Sequence, residues 1–160
     1  MQRTGSEAAH RDRFAERVHA RVVETSAERA VVDQPDVPEL GNHMGVRHAG
    51  ALYAAAYEAS RALVTAALGE LADSVELFPW DSEIAYEAIA AGPVTSVAEP
   101  SGAGWADLAA GSPARSSELA TEVTSRNAGD EIVLRLVLVW RITPTGGQGK
   151  QGNSGEDRCR

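Results

Sequence analysis

The stretch 48-HAGALYAAAYEASRALVTAALG-69 carries the fold. It is rich in Ala and Leu, contains no Pro, and ends at Gly69, a residue type that favours helix termination. Plotted at 100° per residue, Leu52, Ala55, Ala56, Ala59, Ala62, Leu63, Ala66 and Ala67 fall in one apolar arc. Tyr53, Tyr57, Ser60 and Val64 form one flank, and Glu58, Arg61 and Thr65 the other. A helix of this length spans about 33 Å at 1.5 Å per residue. Its alanine face lets a sheet approach the backbone closely. Glu58 and Arg61 interrupt the apolar run, which argues for a helix buried in protein and against a membrane span.

Around this helix the chain alternates with period two. Val18, Ala20 and Val22 alternate with Arg17, His19 and Arg21, which predicts a half-buried strand over 17–24, although the pattern also allows a short helix over Asp12 to Val18. Ala30 to Val32 is a second strand candidate. Residues 33–45 hold Pro35, Pro38, Gly41 and Gly45 and are expected as a loop. After Leu71 the helical pattern fades. Ile84, Tyr86 and Ala88 suggest a strand over 83–90, Gly92-Pro93 breaks it, and 94–98 resumes. Residues 100–113 form a Gly/Ala-rich connection around Trp105. Strands over 118–125 and 131–142 flank a turn at 127–130, where Asn and Gly occupy turn positions. One long helix followed by strands with short turns predicts an α+β fold, a long central helix wrapped by a curved antiparallel sheet.

Composition bounds the function. The 160 residues suit one domain, expected over 17–143, with a flexible segment over 1–16 and a disordered Gly/Gln/Ser-rich tail over 144–160. The net charge of −8 argues against nucleic acid and anionic membrane as partners. Cys159 is the one cysteine, so no internal disulfide supports the fold. The first 17 residues contain no apolar core of a signal peptide, and a cytoplasmic location is expected. No cofactor or metal is expected. Gly147 to Gly152 spells GxGxxG but follows no βα unit. The four histidines lack zinc-type spacing.

The segment carrying chemistry is Asn42-His43-Met44-Gly45-Val46-Arg47-His48-Ala49-Gly50-Ala51-Leu52. It joins a Gly-containing loop to the start of the long helix. Backbone N–H groups in a helix's first turn lack intrahelical partners and lie at its positive end, where they suit a carbonyl oxygen or a developing oxyanion. Asn42 can add a side-chain donor, and His48 can donate or orient the loop. Both residues can equally serve as plain caps for loop and helix.

Asn42-His43-x-Gly45-x-x-His48-Ala49-Gly50-Ala51-Leu52 and the Ala-rich helix closely resemble hotdog-fold acyl-CoA thioesterases, nearest to the branch of the phenylacetate-pathway thioesterase. Glu83 to Glu87, Gly92 to Thr95, and Ser116 to Ile142 continue the resemblance. It implies a hotdog fold, a homodimer or tetramer, and an acyl-thioester pocket (CoA or carrier protein) at the subunit interface. His43, Gly45, Ala49, Gly50 and Tyr53 are then expected to bind substrate, with Asn42, His48, Tyr57 and Glu58 as catalytic candidates. In hydrolytic members an acid lies nine positions after this histidine. Here that position is Tyr57, and Glu58 follows it. Adjacent helical residues point about 100° apart, so the two side chains face different flanks. A tyrosine is a poor general base at neutral pH but a good hydrogen-bond donor. Thioester hydrolysis leads; a non-hydrolytic dehydratase, isomerase or cyclase and a non-catalytic acyl-binding protein remain alternatives.

Overall fold

A computed structural model describes residues 13–109 and 117–145. The expectations for the tail over 146–160 and for the first 12 residues lie outside the described residues. Helix α1 is Arg13–Arg17, followed by β1 (Arg21–Thr25) and β2 (Ala30–Gln34). A 3-10 turn over Pro38–Leu40 precedes the long helix α2 (Ala49–Leu68). Strands β3 (Val75–Tyr86) and β4 (Val94–Ser101), helix α3 (Gly104–Ala109), and strands β5 (Ser117–Asn127) and β6 (Ile132–Pro144) complete the chain.

The sheet is antiparallel in the order β1-β2-β4-β5-β6-β3. Period-two burial dictates which strand faces meet α2. Leu134, Leu136, Leu138, Trp140 and Ile142 of β6 are buried, as are Leu119, Thr121, Val123 and Ser125 of β5. Val94, Ser96 and Ala98 of β4 and Ala30, Val32 and Gln34 of β2 continue the same inner face. Against it α2 buries Leu52, Ala55, Ala56, Ala59, Leu63 and Val64. The small alanines permit that approach, and burial of the apolar surface supplies the main driving force.

The helix begins where a histidine caps it and ends at Gly69, whose φ of 54° lies in the left-handed region open to glycine. The β5–β6 turn is built by Asn127, whose Oδ1 accepts the N–H groups of Gly129 (3.0 Å) and Glu131 (3.1 Å).

Three expectations are corrected. Residues 17–24 are not one strand: α1 runs to Arg17, His19 takes φ 54° as the chain leaves that helix, and the strand starts at Arg21 with every residue exposed. The backbone bonds from Val18 to Phe14 and from Ala20 to Ala15 close this helix end, so alternation in sequence here spans two elements. β3 starts at Val75, eight residues before the expected strand over 83–90, and stops at Tyr86. Pro79 sits within it at a register shift opposite Trp140. An edge strand tolerates a proline and a bulge because one row of its backbone groups has no strand to pair. The connection around Trp105 contains α3, anchored where Trp105 Nε1 donates to Ala120 O at 2.6 Å.

A buried polar chain links helix to sheet. Trp140 Nε1 donates to Ser60 Oγ at 2.7 Å, Ser60 lies 2.6 Å from Thr121 Oγ1, and Thr121 donates to Leu138 O at 3.3 Å. The direction of the first and last bonds makes Ser60 the donor to Thr121. No helix among the described residues is long and apolar enough to cross a membrane.

Candidate functional site

The loop before α2 is shaped by its own side chains. Asn42 Oδ1 accepts the N–H groups of Met44 (2.9 Å) and Val46 (3.3 Å), and Asn42 N donates to Val46 O at 2.7 Å. Gly45 takes φ 74°, and Gly41 bridges Arg47 across the loop base. The Asn42 side-chain NH2 donates to no described residue. His43 and Gly45 are exposed on the same loop.

Arg47, which sequence reasoning missed as a structural residue, fastens this loop to the molecule. Its guanidinium donates to Pro35 O (2.8 Å) and Gly92 O (2.6 Å), and its backbone N–H to Ala90 O (3.0 Å). Burial pulls its pKa below the ordinary arginine value, and the Asp36 carboxylate opposes that shift. A charged arginine near neutral pH needs such partners when buried. The only signal in sequence is a charged residue between two loop glycines and a helix start, which does not distinguish a strut from a solvated side chain.

At the start of α2, His48 Nδ1 accepts the N–H of Gly50 at 3.0 Å. That bond leaves the proton of a neutral His48 on Nε2, on an exposed ring. Ala51 N and Leu52 N donate back to His48 O. The Gly50 N–H is therefore occupied, while the Ala49 N–H donates to no described residue. Ala49 and Gly50 are exposed, unlike the rest of the helix. A Cβ on Gly50 lies 3.1 Å from His48 Nδ1, so glycine gives the ring its seat.

The two flanks of α2 meet different parts of the fold. Tyr57 packs on Trp140 of β6 with ring centroids 5.3 Å apart, and on Tyr53 at 6.2 Å. Tyr86, at the end of β3, donates from its hydroxyl to Ala49 O at 3.3 Å. All three tyrosines of the chain thus lie on the flank beside β6 and β3.

Glu58 faces the other way. It is 5% exposed and bonded bidentately to Arg61, Oε2 to Nε at 2.9 Å and Oε1 to Nη2 at 2.7 Å. It borders a cleft of about 460 Å³ shared with Ala15, His19, Arg21 and Val22, on the α1–β1 side. The helix does not bulge at this point to bring Glu58 beside Tyr57. Within one chain Asn42, His43 and Gly45 stand on the loop leading into α2, His48, Ala49 and Gly50 at the helix start, and Tyr53 and Tyr57 along one flank. The structure leaves Glu58 apart from all of these. Among the described residues no cluster of three or more His, Cys, Asp or Glu is arranged to hold a metal.

A six-stranded antiparallel sheet curled around one long helix is the hotdog fold, and known structures carry the same architecture. Residues 8–142 match the family model described as a domain of unknown function, DUF4442, and the chain belongs to that family. The conserved protein PA5202 from Pseudomonas aeruginosa superposes with a TM-score of 0.70 at 23% identity, covering 86% of this chain and 99% of that one. A thioesterase, SAV0944 from Staphylococcus aureus, gives a TM-score of 0.70 at 15% identity over 83% and 100% of the two chains. The thioesterase HI1161 from Haemophilus influenzae gives 0.68 at 14% identity over 82% of each. No curated protein matches the chain significantly.

Proposed function

We propose that the protein hydrolyses an acyl thioester of CoA or an acyl-carrier protein, as a homodimer whose site lies between the α2 start of one subunit and the tyrosine flank of the other. The single observation that carries this reading is the open first turn of α2. There the exposed residue Ala49, whose N–H donates to no described residue, follows an exposed histidine bonded through Nδ1, and the loop leading in holds an asparagine whose NH2 donates to no described residue. Such donors at a helix N-terminus stabilise the oxyanion formed when water adds to a carbonyl. Water attacks the thioester carbon, the C–S bond breaks, and the water's proton ends on the departing sulfur.

The dimer seam is assigned to β3. This edge strand of 12 residues is mostly exposed, and its unpaired backbone groups suit pairing with a second copy. Pairing there lays the two tyrosine flanks against each other. Tyr57, not Glu58, is then the α2 residue assigned to the site, with Tyr53 lining it. Two structures of the staphylococcal protein carry exchanges at a glutamine and a glutamate fifteen positions apart, the separation of Asn42 and Tyr57 here. The kinship to the phenylacetate-pathway branch, read from residues 42–52, is part of the same proposal.

A second reading has one observation in its favour. The tyrosine flank offers phenols where a hydrolase uses a carboxylate, and phenols polarise a carbonyl without activating water. A non-hydrolytic reaction on the bound acyl group suits that surface.

Thiol release measured over a panel of acyl-CoA and acyl-carrier-protein thioesters tests the first reading. Hydrolysis predicts turnover with at least one thioester, reduced about tenfold or more by His48→Ala and by Tyr57→Phe. A panel with no thiol release refutes it, and recovery of a rearranged thioester selects the second.

A further inference from the structure

The direction of the backbone groups along β3 follows from one bond just past its end. Beyond the register shift between Pro79 and Asp81, the strand pairs with β6 without interruption from Asp81 to Tyr86. At the next position the Glu87 N–H donates to Val133 O at 3.1 Å, so the Glu87 backbone faces β6. Backbone groups alternate in direction along a strand. Ser82, Ile84 and Tyr86 therefore turn their N–H and C=O groups to the free edge of the sheet. The Ser82 N–H accordingly takes a local acceptor, Asp81 Oδ1 at 2.8 Å. The same three residues pair with the buried Leu138, Leu136 and Leu134, so their side chains lie on the inner face. On the near side of the shift, Pro79 has no N–H to offer a neighbouring strand.

We propose that two copies join along β3 with Ile84 on the twofold axis, so that the partner's Ser82 becomes a wall of the thioester site beside Tyr86. This rests on the thioester reading and its β3 seam given above. A twofold axis normal to the sheet runs the two edges antiparallel and keeps both helices on one side. With Ile84 opposite its own copy, Tyr86 stands opposite the partner's Ser82, and every outward N–H and C=O over 82–86 finds a partner. The Ser82 N–H then exchanges the Asp81 carboxylate for a carbonyl of the facing strand. A shift of one residue sets the groups of Glu83 and Ala85, which face β6, against the outward ones. A shift of two brings in Trp80 at the irregularity or Ala88 beyond the strand end. Residues opposed in such a hydrogen-bonded pair have Cα atoms about 5.5 Å apart. The Tyr86 hydroxyl donates to Ala49 O at 3.3 Å, at the start of α2. A serine opposite this tyrosine leaves a slot beside the ring, open toward the helix start and lined by both subunits. It also covers part of a Tyr86 side chain that is 49% exposed in one chain.

Glu83 and Ala85 are exposed on the other face of the strand, away from the slot. The proposed register sets Glu83 against the partner's Ala85 as a non-hydrogen-bonded pair, with Cα atoms about 4.5 Å apart, within reach of a disulfide. A Cys159→Ser background removes the one native thiol. In it, the double variant Glu83→Cys/Ala85→Cys is expected to form a covalent dimer on mild oxidation, read on a non-reducing gel, and neither single variant is. Cross-linking by Glu83→Cys alone or by Ala85→Cys alone puts the axis on that residue and overturns the register. A double variant that sediments as a dimer without cross-linking overturns it too, and a monomer overturns the β3 seam itself. Ser82→Phe fills the slot. In the thiol-release assay its KM is expected to rise about fivefold or more with kcat within about threefold of wild type. Ser82→Val, a smaller filling that suits a strand, is expected to move KM the same way by less. An unchanged KM in both variants, each sedimenting as a dimer, overturns the placement of Ser82 in the site. If the wild-type protein releases thiol from no thioester, the hydrolytic reading and the part of Ser82 in it fail together, and the cross-linking still decides the register.

Discussion

Replacing Glu58 separates a buried structural pair from a catalytic acid. The Glu58 side chain is 7% exposed and that of Arg61 22%, with two short bonds between them. An exposed pair three residues apart on a helix is worth only about 0.2–0.5 kcal/mol. Breaking a fully buried pair by removing one partner costs about 3–5 kcal/mol. Arg61 retains about a fifth of its exposure and borders solvent, which places Glu58→Ala near the bottom of that range, at about 3 kcal/mol. Glu58→Gln keeps the shape and one acceptor oxygen, so about 1–1.5 kcal/mol is expected. For a domain of this size 3 kcal/mol lowers Tm by about 10 °C. Urea unfolding measures both variants, and thiol release is assayed at a temperature where each is folded. The expected result is a clear stability loss with catalysis within about threefold of wild type, since Glu58 borders the α1–β1 cleft and not the tyrosine flank. A Glu58→Gln protein that unfolds like wild type but loses more than tenfold in thiol release would refute the reasoning and restore Glu58 to the mechanism.

Three further outcomes follow from named contacts. Ser60→Ala strands the buried Trp140 Nε1–H and removes the donor to Thr121 Oγ1, whose own hydroxyl donates to Leu138 O. About 2 kcal/mol of stability is expected to go, with a shift in tryptophan fluorescence; an unchanged urea midpoint contradicts this. Gly50→Ala puts a methyl 3.1 Å from His48 Nδ1 and displaces the ring, while improving helix propensity by about 1 kcal/mol. Thiol release is expected to drop about tenfold with stability unchanged or raised, and an unaffected rate would show that His48 orientation is immaterial. Tyr86 carries a pKa raised by burial and by Tyr53. Its neutral form is favoured in the folded state, so its contribution is complete below the ordinary phenol pKa of about 10 and is lost as pH rises through the folded value. Unfolding free energy measured from pH 9 to 11 is expected to decline less steeply in Tyr86→Phe than in wild type.

Much of the fold is legible because burial and periodicity agree. The helix expected over 48–69 is Ala49–Leu68, and the alternating apolar face of 132–142 is the inner face of β6. The first half of β3 is illegible for a physical reason. An edge strand with Pro79, a register shift and mostly exposed side chains has no apolar alternation to reveal it. Its existence depends on β6, which supplies the pairing. Residues 17–24 err the other way, since alternation across a helix end imitates a strand.

The candidate site divides along the same line. Helical geometry alone separates Tyr57 from Glu58, because a turn of 100° per residue is a property of the backbone. Which flank meets what is tertiary information. Trp140, about 80 residues away, fixes Tyr57 on the β6 side, and on the other side Glu58 lines a cleft together with His19 and Arg21. The capping roles of Asn42 and His48 do not compete with a role in binding. Each uses one polar atom to build the loop or helix start and leaves a second, the Asn42 NH2 and His48 Nε2–H, that donates to no described residue. A residue spent wholly on capping requires only an acceptor, which Ser, Asp or Thr supplies with fewer atoms. Two-ended side chains at both positions, on either side of the turn into α2, are the reason for proposing this helix start as a site as well as a terminus.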